Sequence, residues 1–103
     1  MVQSIALIDN IRKLVQEDRI IVSKHANERI VERGISPDDL ASLILDGDII
    51  EEYLDDFPCP SVLLCGFLPW ACHIVVGICQ DQLRVITVYL PDEDEWIDNK
   101  VRK

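Results

Sequence analysis

The stretch SVLLCGFLPWACHIVVGICQDQLRVITVYL, residues 61–90, decides the fold of this chain. It holds three short runs of β-branched and apolar residues, at 61–68, 72–79 and 83–90, which are separated by turn-forming residues. A fourth run of the same kind, IIEEYL at 49–54, precedes them. Four strands joined by short connections predict an antiparallel meander.

Helical signals fill the part of the chain before these strands. The segment SIALIDNIRKLVQED repeats apolar residues at helical spacing. Ser23 and Ser36 are suitable N-caps, and Gly34 and Gly47 are suitable helix ends. The residues RIIV, at 19–22, interrupt the helical period, and we interpret them as a short extended bridge.

These patterns predict an α+β fold, with N-terminal helices packed on a four-stranded antiparallel meander sheet. We expect one domain over residues 1–103, with helices at about 3–46, strands at about 49–90 and a C-terminal tail at 91–103. Three of the strands are apolar on both faces. The second face should therefore be covered by the tail, anchored through Trp96, or by a partner.

The net charge of −9 argues against simple nucleic-acid binding. From Gly34 to Leu83 the chain has nine acidic residues and no lysine or arginine, whereas the last four residues are KVRK. We name residues 34–83 the acidic middle, and it is the natural target for a basic partner. We find neither a signal peptide nor the roughly 18 apolar residues of a membrane span, so we expect a cytoplasmic protein.

The four cysteines, Cys59, Cys65, Cys72 and Cys79, show no CxxC spacing. We expect them to be free, small, buried apolar side chains, with a disulfide or a metal site as the alternatives. The two histidines are not at any metal-motif spacing, and no phosphate-binding glycine loop is present. We therefore predict no metal and no cofactor.

A possible site for a phosphate lies in the segment SKHANERIVERG. His25, Arg29 and Arg33 fall on one stripe of the predicted second helix. Histidine exchanges protons near neutral pH, and arginine binds phosphate with two parallel hydrogen bonds. Spacing alone, however, favours a solvated helix face, because Glu28 and Glu32 lie beside the arginines.

A second group of polar residues lies on the strands. If residues 80–82 form a three-residue loop, His73 faces Tyr89, with Thr87 two residues away on the same side of the sheet. A docked tail would bring Arg102 to this site. The alternative for His73 is a hydrogen-bonded histidine of the core.

Four motifs in order resemble one family. They are SKHANERIVERGIS, GDIIEEYLDDFPCPS, HIVVG and VITVYLPDEDEW, with Arg102 in the closing basic position. Over residues 19–103 the chain is similar to bacterial domain-of-unknown-function family 4258. The resemblance implies a fold like that of the small metal-free RNase toxins, the RelE-like and barnase-like proteins.

The resemblance also implies a function. We expect a toxin-like, metal-independent endoribonuclease, encoded with an antitoxin, in which the 2′-OH of RNA attacks the adjacent phosphate. Carried over to this chain, His25 and His73 are the acid/base pair, Arg29 and Arg102 hold the phosphate, and Thr87 and Tyr89 orient it.

Two alternatives remain open. The first is a non-catalytic module that binds a partner or a second copy through the acidic middle and the apolar second face of the sheet. It predicts a fully buried His73 or two separated histidines. The weaker second alternative is a metal-binding regulator that uses the cysteines.

Overall fold

The computed structural model describes residues 2–67 and 70–103, with side chains from residue 7 onward. Its elements follow in chain order: α1 Val2–Gln16, β1 Ile20–Val22, α2 Lys24–Glu32, α3 Pro37–Asp46, β2 Asp48–Tyr53, β3 Ser61–Phe67, β4 Ala71–Ile78, β5 Leu83–Tyr89, β6 Trp96–Ile97 and β7 Val101–Arg102. The predicted α+β class is confirmed, and the three helices precede strands β2 to β5, but β1 lies between α1 and α2. Leu68 and Pro69, at the predicted end of a strand and in a turn, lie outside the described residues.

The helix ends follow from local side-chain chemistry. Ser23 caps α2 by accepting a hydrogen bond from the Ala26 amide at 3.0 Å. Ser36 and Asp39 form a reciprocal capping box at the start of α3, where Pro37 occupies the first turn. Gly34 follows α2 with φ +65°, a left-handed conformation that glycine adopts without steric cost.

The sheet has five strands in the order β1-β5-β4-β3-β2 and is mixed, so the predicted four-stranded antiparallel meander is only partly correct. β2 to β5 do form antiparallel neighbours, but β1 adds a parallel edge strand beside β5, with Ile20 opposite Leu83. The short RIIV segment was expected only to bridge two helices. The three residues of β1 are too few to show the alternation of apolar and polar side chains that identifies a strand. Their partner strand, β5, begins more than 60 residues later in the chain.

The predicted pairing of His73 with Tyr89 and of Val75 with Thr87 is confirmed, although the loop was predicted incorrectly. β4 ends opposite the start of β5 with Ile78 facing Leu83, so four residues connect the strands. An extra residue in β5, Ile86, forms a bulge that restores the register. Ser23 donates to the Ile86 carbonyl at 2.9 Å, which satisfies a backbone group at this irregular position.

The helices cover one face of the sheet. Alternate strand residues on that face, including Leu64, Ile74 and Val85, are 0–1% exposed and pack with Ile30 of α2 and Leu43 of α3. The residues between them, among them His73, point to the opposite face. One face of the sheet therefore borders the apolar core beneath the helices, and the opposite face carries more polar side chains.

Residues 91–103, the C-terminal segment, cover the part of that opposite face around His73. β6 and β7 pair with each other as a small hairpin, and Trp96 is 4% exposed. The structure thus agrees with the expectation that Trp96 anchors the tail to the domain.

The expectation of four free cysteines is wrong for two of them. Cys59 and Cys79 form a disulfide, whereas Cys65 and Cys72 are free and buried. The bond links the loop before β3 to the end of β4. The sequence spacing of the cysteines could not reveal this disulfide, because Cys59 and Cys79 are brought close only by the pairing of β3 with β4. Among the described residues no group of three or more His, Cys, Asp or Glu side chains is arranged to hold a metal ion.

Reducing the disulfide is expected to lower the free energy of unfolding by about 3 kcal/mol, because the bond closes a loop with a sequence separation of 20. Urea denaturation with and without dithiothreitol measures the change. A Cys59→Ser/Cys79→Ser variant is the control and should not respond to reductant. An unchanged wild-type midpoint would contradict the pairing.

No helix among the described residues is long and apolar enough to cross a membrane.

Candidate functional site

His73 is the centre of a polar cluster between the sheet and the C-terminal segment. Its side chain is fully buried, at 0% exposure. The Nδ1 atom lies 3.3 Å from the Tyr89 hydroxyl, and Nε2 lies 2.5 Å from the Asn99 carbonyl oxygen. A carbonyl only accepts hydrogen bonds, so Nε2 carries the proton and Nδ1 accepts from Tyr89. Both ring nitrogens are therefore engaged within the protein.

A tight turn presents the Asn99 carbonyl to His73. Asp98 and Asn99 have φ values of 51° and 67°, and the Lys100 amide donates to the Ile97 carbonyl at 3.0 Å. Asp and Asn are the residues that adopt this left-handed conformation most readily after glycine. The Asp98-Asn99 pair was a readable turn signal, but the sequence did not show where the turn would dock.

Aromatic rings enclose His73 on two sides. The Trp96 ring lies 4.5 Å from the His73 ring, centroid to centroid, and the Tyr89 ring lies 5.2 Å away, both in edge-to-face geometry. The Arg102 guanidinium in turn lies 4.6 Å from the centre of the Trp96 ring. The Trp96 ring thus contacts both His73 and Arg102, and the three side chains form one continuous group.

Glu51 completes the cluster from the edge strand β2. Its carboxylate accepts from Arg102 Nε at 2.7 Å and from the Tyr53 hydroxyl. A register shift between Ile49 and Glu51 places Glu51 opposite Leu63, on the same sheet face as His73. Sequence reasoning missed Glu51 as a site residue, although the quoted family motif contains it. A bulge is not visible in sequence periodicity, so its direction could not be foreseen.

The ionisation of the cluster follows from these contacts. Burial would raise the pKa of Glu51, but the hydrogen bonds from Tyr53 and Arg102 outweigh it, so the pKa lies below its ordinary value. Burial lowers the pKa of His73, and the charge of Arg102 lowers it further, against the opposing effects of Asn99 and Glu51. The structure therefore favours a charged Glu51 beside a neutral His73.

This neutral histidine predicts a pH dependence. The unfolded chain takes up a proton near the ordinary His73 pKa of 6.5, whereas the folded chain does so only at lower pH. The contribution of His73 to stability is thus complete above that value and declines as pH falls below it. Between pH 7.5 and 5, the wild type should lose stability more steeply than His73→Gln, which retains a donor but does not titrate. Parallel denaturation curves would contradict this.

The structure places the other predicted site residues in two groups. Tyr89 and Arg102 join His73 in the cluster, and Thr87 lies on the same strand two residues from Tyr89. His25 is exposed on α2, and Arg29 of the same helix pairs with Glu32 at 2.8 Å.

His25 and Arg29 therefore belong to the helix layer, whereas His73 points to the covered face. Among the described residues, no hydrogen bond, ring contact or ion pair joins His25 or Arg29 to the cluster. The fold does not show the predicted acid/base pair together in an open cleft.

A family model described as "Domain of unknown function (DUF4258)" matches residues 22–90. The chain belongs to the DUF4258 family. The matched region contains Glu51, His73 and Tyr89, but it ends before Trp96 and Arg102. The resemblance read from the sequence is confirmed over this shorter range. No curated protein and no solved structure gives a significant match.

Proposed function

We propose that this DUF4258 chain is a non-catalytic protein-interaction module, and that partners bind its acidic middle. The observation that carries this proposal is the state of His73, which is fully buried with both ring nitrogens bonded to Tyr89 and Asn99. A general acid or base must reach its substrate through a free ring nitrogen. Here the proposed role of His73 is to hold the C-terminal segment on the sheet.

The surface of the acidic middle supports a binding role. Large apolar side chains are exposed there: Leu54 43%, Phe57 94%, Phe67 57% and Trp70 73%. Carboxylates from the same segment, such as Asp55 and Asp56, are also exposed. Apolar side chains among acidic ones suit a basic, amphipathic partner. We infer that this partner is an antitoxin-like protein, with a second copy of the chain as the alternative.

A cytoplasmic location is part of the proposal. In that compartment disulfides rarely persist, so Cys59 and Cys79 would be thiols there and the module would be less stable.

A second candidate is the metal-independent endoribonuclease of a toxin system, with a fold like that of the RelE-like RNase toxins. The observation in its favour is that residues from separate family motifs, Glu51, His73, Tyr89 and Arg102, meet in one cluster with shifted pKa values. In this case residues 91–103 would have to leave His73 before RNA could bind.

RNA cleavage separates the two candidates. Purified wild type, His25→Ala and His73→Ala, each checked for folding, are incubated with RNA at low salt in EDTA. The interaction module predicts no cleavage by any of them. Cleavage by the wild type with cyclic-phosphate ends, lost in His73→Ala, would overturn the proposal and establish the endoribonuclease. Equal cleavage by all three proteins would identify a contaminant.

A further inference from the structure

The chemistry of the C-terminal segment indicates what the covered sheet face binds. We propose that the face formed by Glu51, His73 and Tyr89 is a binding site for a partner's peptide segment that carries an aromatic side chain and an arginine. The chain's own Trp96 and Arg102 occupy this site. The inference rests on the proposed function, because it names the partner's chemistry for an interaction module.

The segment is seated on the sheet by a few side-chain contacts. β6 and β7 hydrogen-bond to each other as a separate two-stranded sheet. Among the described residues, its contacts with the body include the Trp96 ring on His73, the Asn99 carbonyl on His73, and two ion pairs, Arg102 with Glu51 and Lys100 with Asp48. The hairpin is therefore held on the domain by side-chain contacts, as a bound peptide is, and not by backbone pairing with the five-stranded sheet.

Two of these anchors are open to solvent. The side chains of Arg102 and Lys100 are 57% and 40% exposed, and such ion pairs contribute little to stability. The connection to β5 contains four successive acidic residues, 92–95, all exposed. These like charges repel one another within a turn, in which the Glu95 amide donates to the Asp92 carbonyl at 2.9 Å. Displacing the segment thus costs mainly the burial of Trp96 and the hydrogen bond between His73 and the Asn99 carbonyl.

The face itself selects for an aromatic and cationic ligand. Glu51 is held in place by the Tyr53 hydroxyl and receives the guanidinium, while the His73 ring contacts the aromatic group in edge-to-face geometry. The ligand's own cation lies over its own aromatic ring, as Arg102 lies over Trp96 at 4.6 Å. With no lysine or arginine in residues 34–83, the surrounding charge also attracts a basic segment.

Occupancy by the chain's own segment would lower a partner's apparent affinity, which equals the intrinsic affinity multiplied by the fraction of molecules in which the site is open. A labelled peptide, EWIDNKVRK, which copies residues 95–103, serves as the probe for fluorescence anisotropy. Full-length wild type, Arg102→Ala and Lys103→Ala are compared. Arg102→Ala loosens the internal segment, whereas Lys103→Ala removes the same charge from an exposed position that makes no side-chain ion pair with the described residues of the site. We expect Arg102→Ala to bind the probe about threefold more tightly than the other two, which is the effect of losing one exposed ion pair.

A second substitution tests the site directly. Adding Glu51→Gln to Arg102→Ala should abolish the gain, because the probe's arginine then loses its partner. Equal probe affinity in Arg102→Ala and the wild type, or a gain that survives Glu51→Gln, would overturn the proposal. If Arg102→Ala instead forms a dimer that excludes the probe, the occupant is a second copy, which also overturns it.

The wild type provides a test that needs no variant. A saturating concentration of the probe should increase hydrogen exchange at the amides of residues 96–102, because the internal segment is released. Unchanged exchange at millimolar probe would contradict the proposal. These outcomes are independent of RNA cleavage, so failure of this site and failure of the interaction module can be told apart.

Discussion

Replacing Trp96 with alanine is expected to lower the free energy of unfolding by about 3–5 kcal/mol, the usual cost of removing a buried large aromatic side chain. Trp96 is 4% exposed, and its ring contacts both His73 and Arg102. The substitution removes the main anchor of the C-terminal segment and exposes the part of His73 that the Trp96 ring contacts. Urea denaturation followed by circular dichroism measures the loss.

The second tryptophan of the chain is a matched control. Trp70 is 73% exposed, so Trp70→Ala should change the free energy of unfolding by no more than about 0.5 kcal/mol. Similar losses in the two variants would mean that Trp96 does not anchor the segment as described.

Leu64→Ala is expected to destabilise the protein by about 2–5 kcal/mol through the core on the other side of the sheet. Leu64 is 1% exposed in β3, lies between Ile49 and Ile74 on the neighbouring strands, and faces the helices. Truncation leaves a cavity that these rigid neighbours cannot fill. Thermal unfolding should show a fall in Tm of roughly 10 °C or more for a chain of this size.

Leu54→Ala is the control for this core position, because Leu54 is 43% exposed. Its Tm should remain within a few degrees of the wild type, as is usual for surface substitutions. If Leu54→Ala lowered Tm as much as Leu64→Ala, the proposed orientation of the sheet would be wrong.

The elements that the sequence predicted correctly are those with local signals. Ser23 and Ser36 cap helices through bonds to residues three positions away, so their role is visible in a short window. The strand runs at 61–90 are long enough to identify three antiparallel neighbours. The pairing of His73 with Tyr89 was predicted from a loop of the wrong length and holds because Ile86 bulges out.

The features that were missed depend on contacts between distant parts of the chain. The parallel pairing of β1 with β5 and the Cys59–Cys79 bond both join segments that only the assembled sheet brings together. The same is true of the site, because Glu51 reaches the cluster through a bulge in β2 and Asn99 reaches it through a docked turn. The expectation that Arg102 would reach the sheet rested on tail docking, and the structure agrees with it.

The grouping of His25 with His73 came from the family resemblance, and no local pattern could test it. A helix stripe and a strand face are each periodic, but their relative placement is set by packing. Helix α2 packs through Ala26 and Ile30 into the apolar core, so His25 lies in the helix layer. The cluster around His73 is instead formed with Glu51 of β2, Tyr89 of β5 and residues that follow β5.

The measurement that tests the central claim most directly is the chemical accessibility of the two histidines. The folded wild type is treated briefly with diethyl pyrocarbonate near pH 7, and the modified peptides are quantified by mass spectrometry. Exposed His25 should be modified while His73, at 0% exposure beneath Trp96, stays protected until the protein is denatured. Modification of both histidines at similar rates in the folded protein would contradict a buried, structural His73.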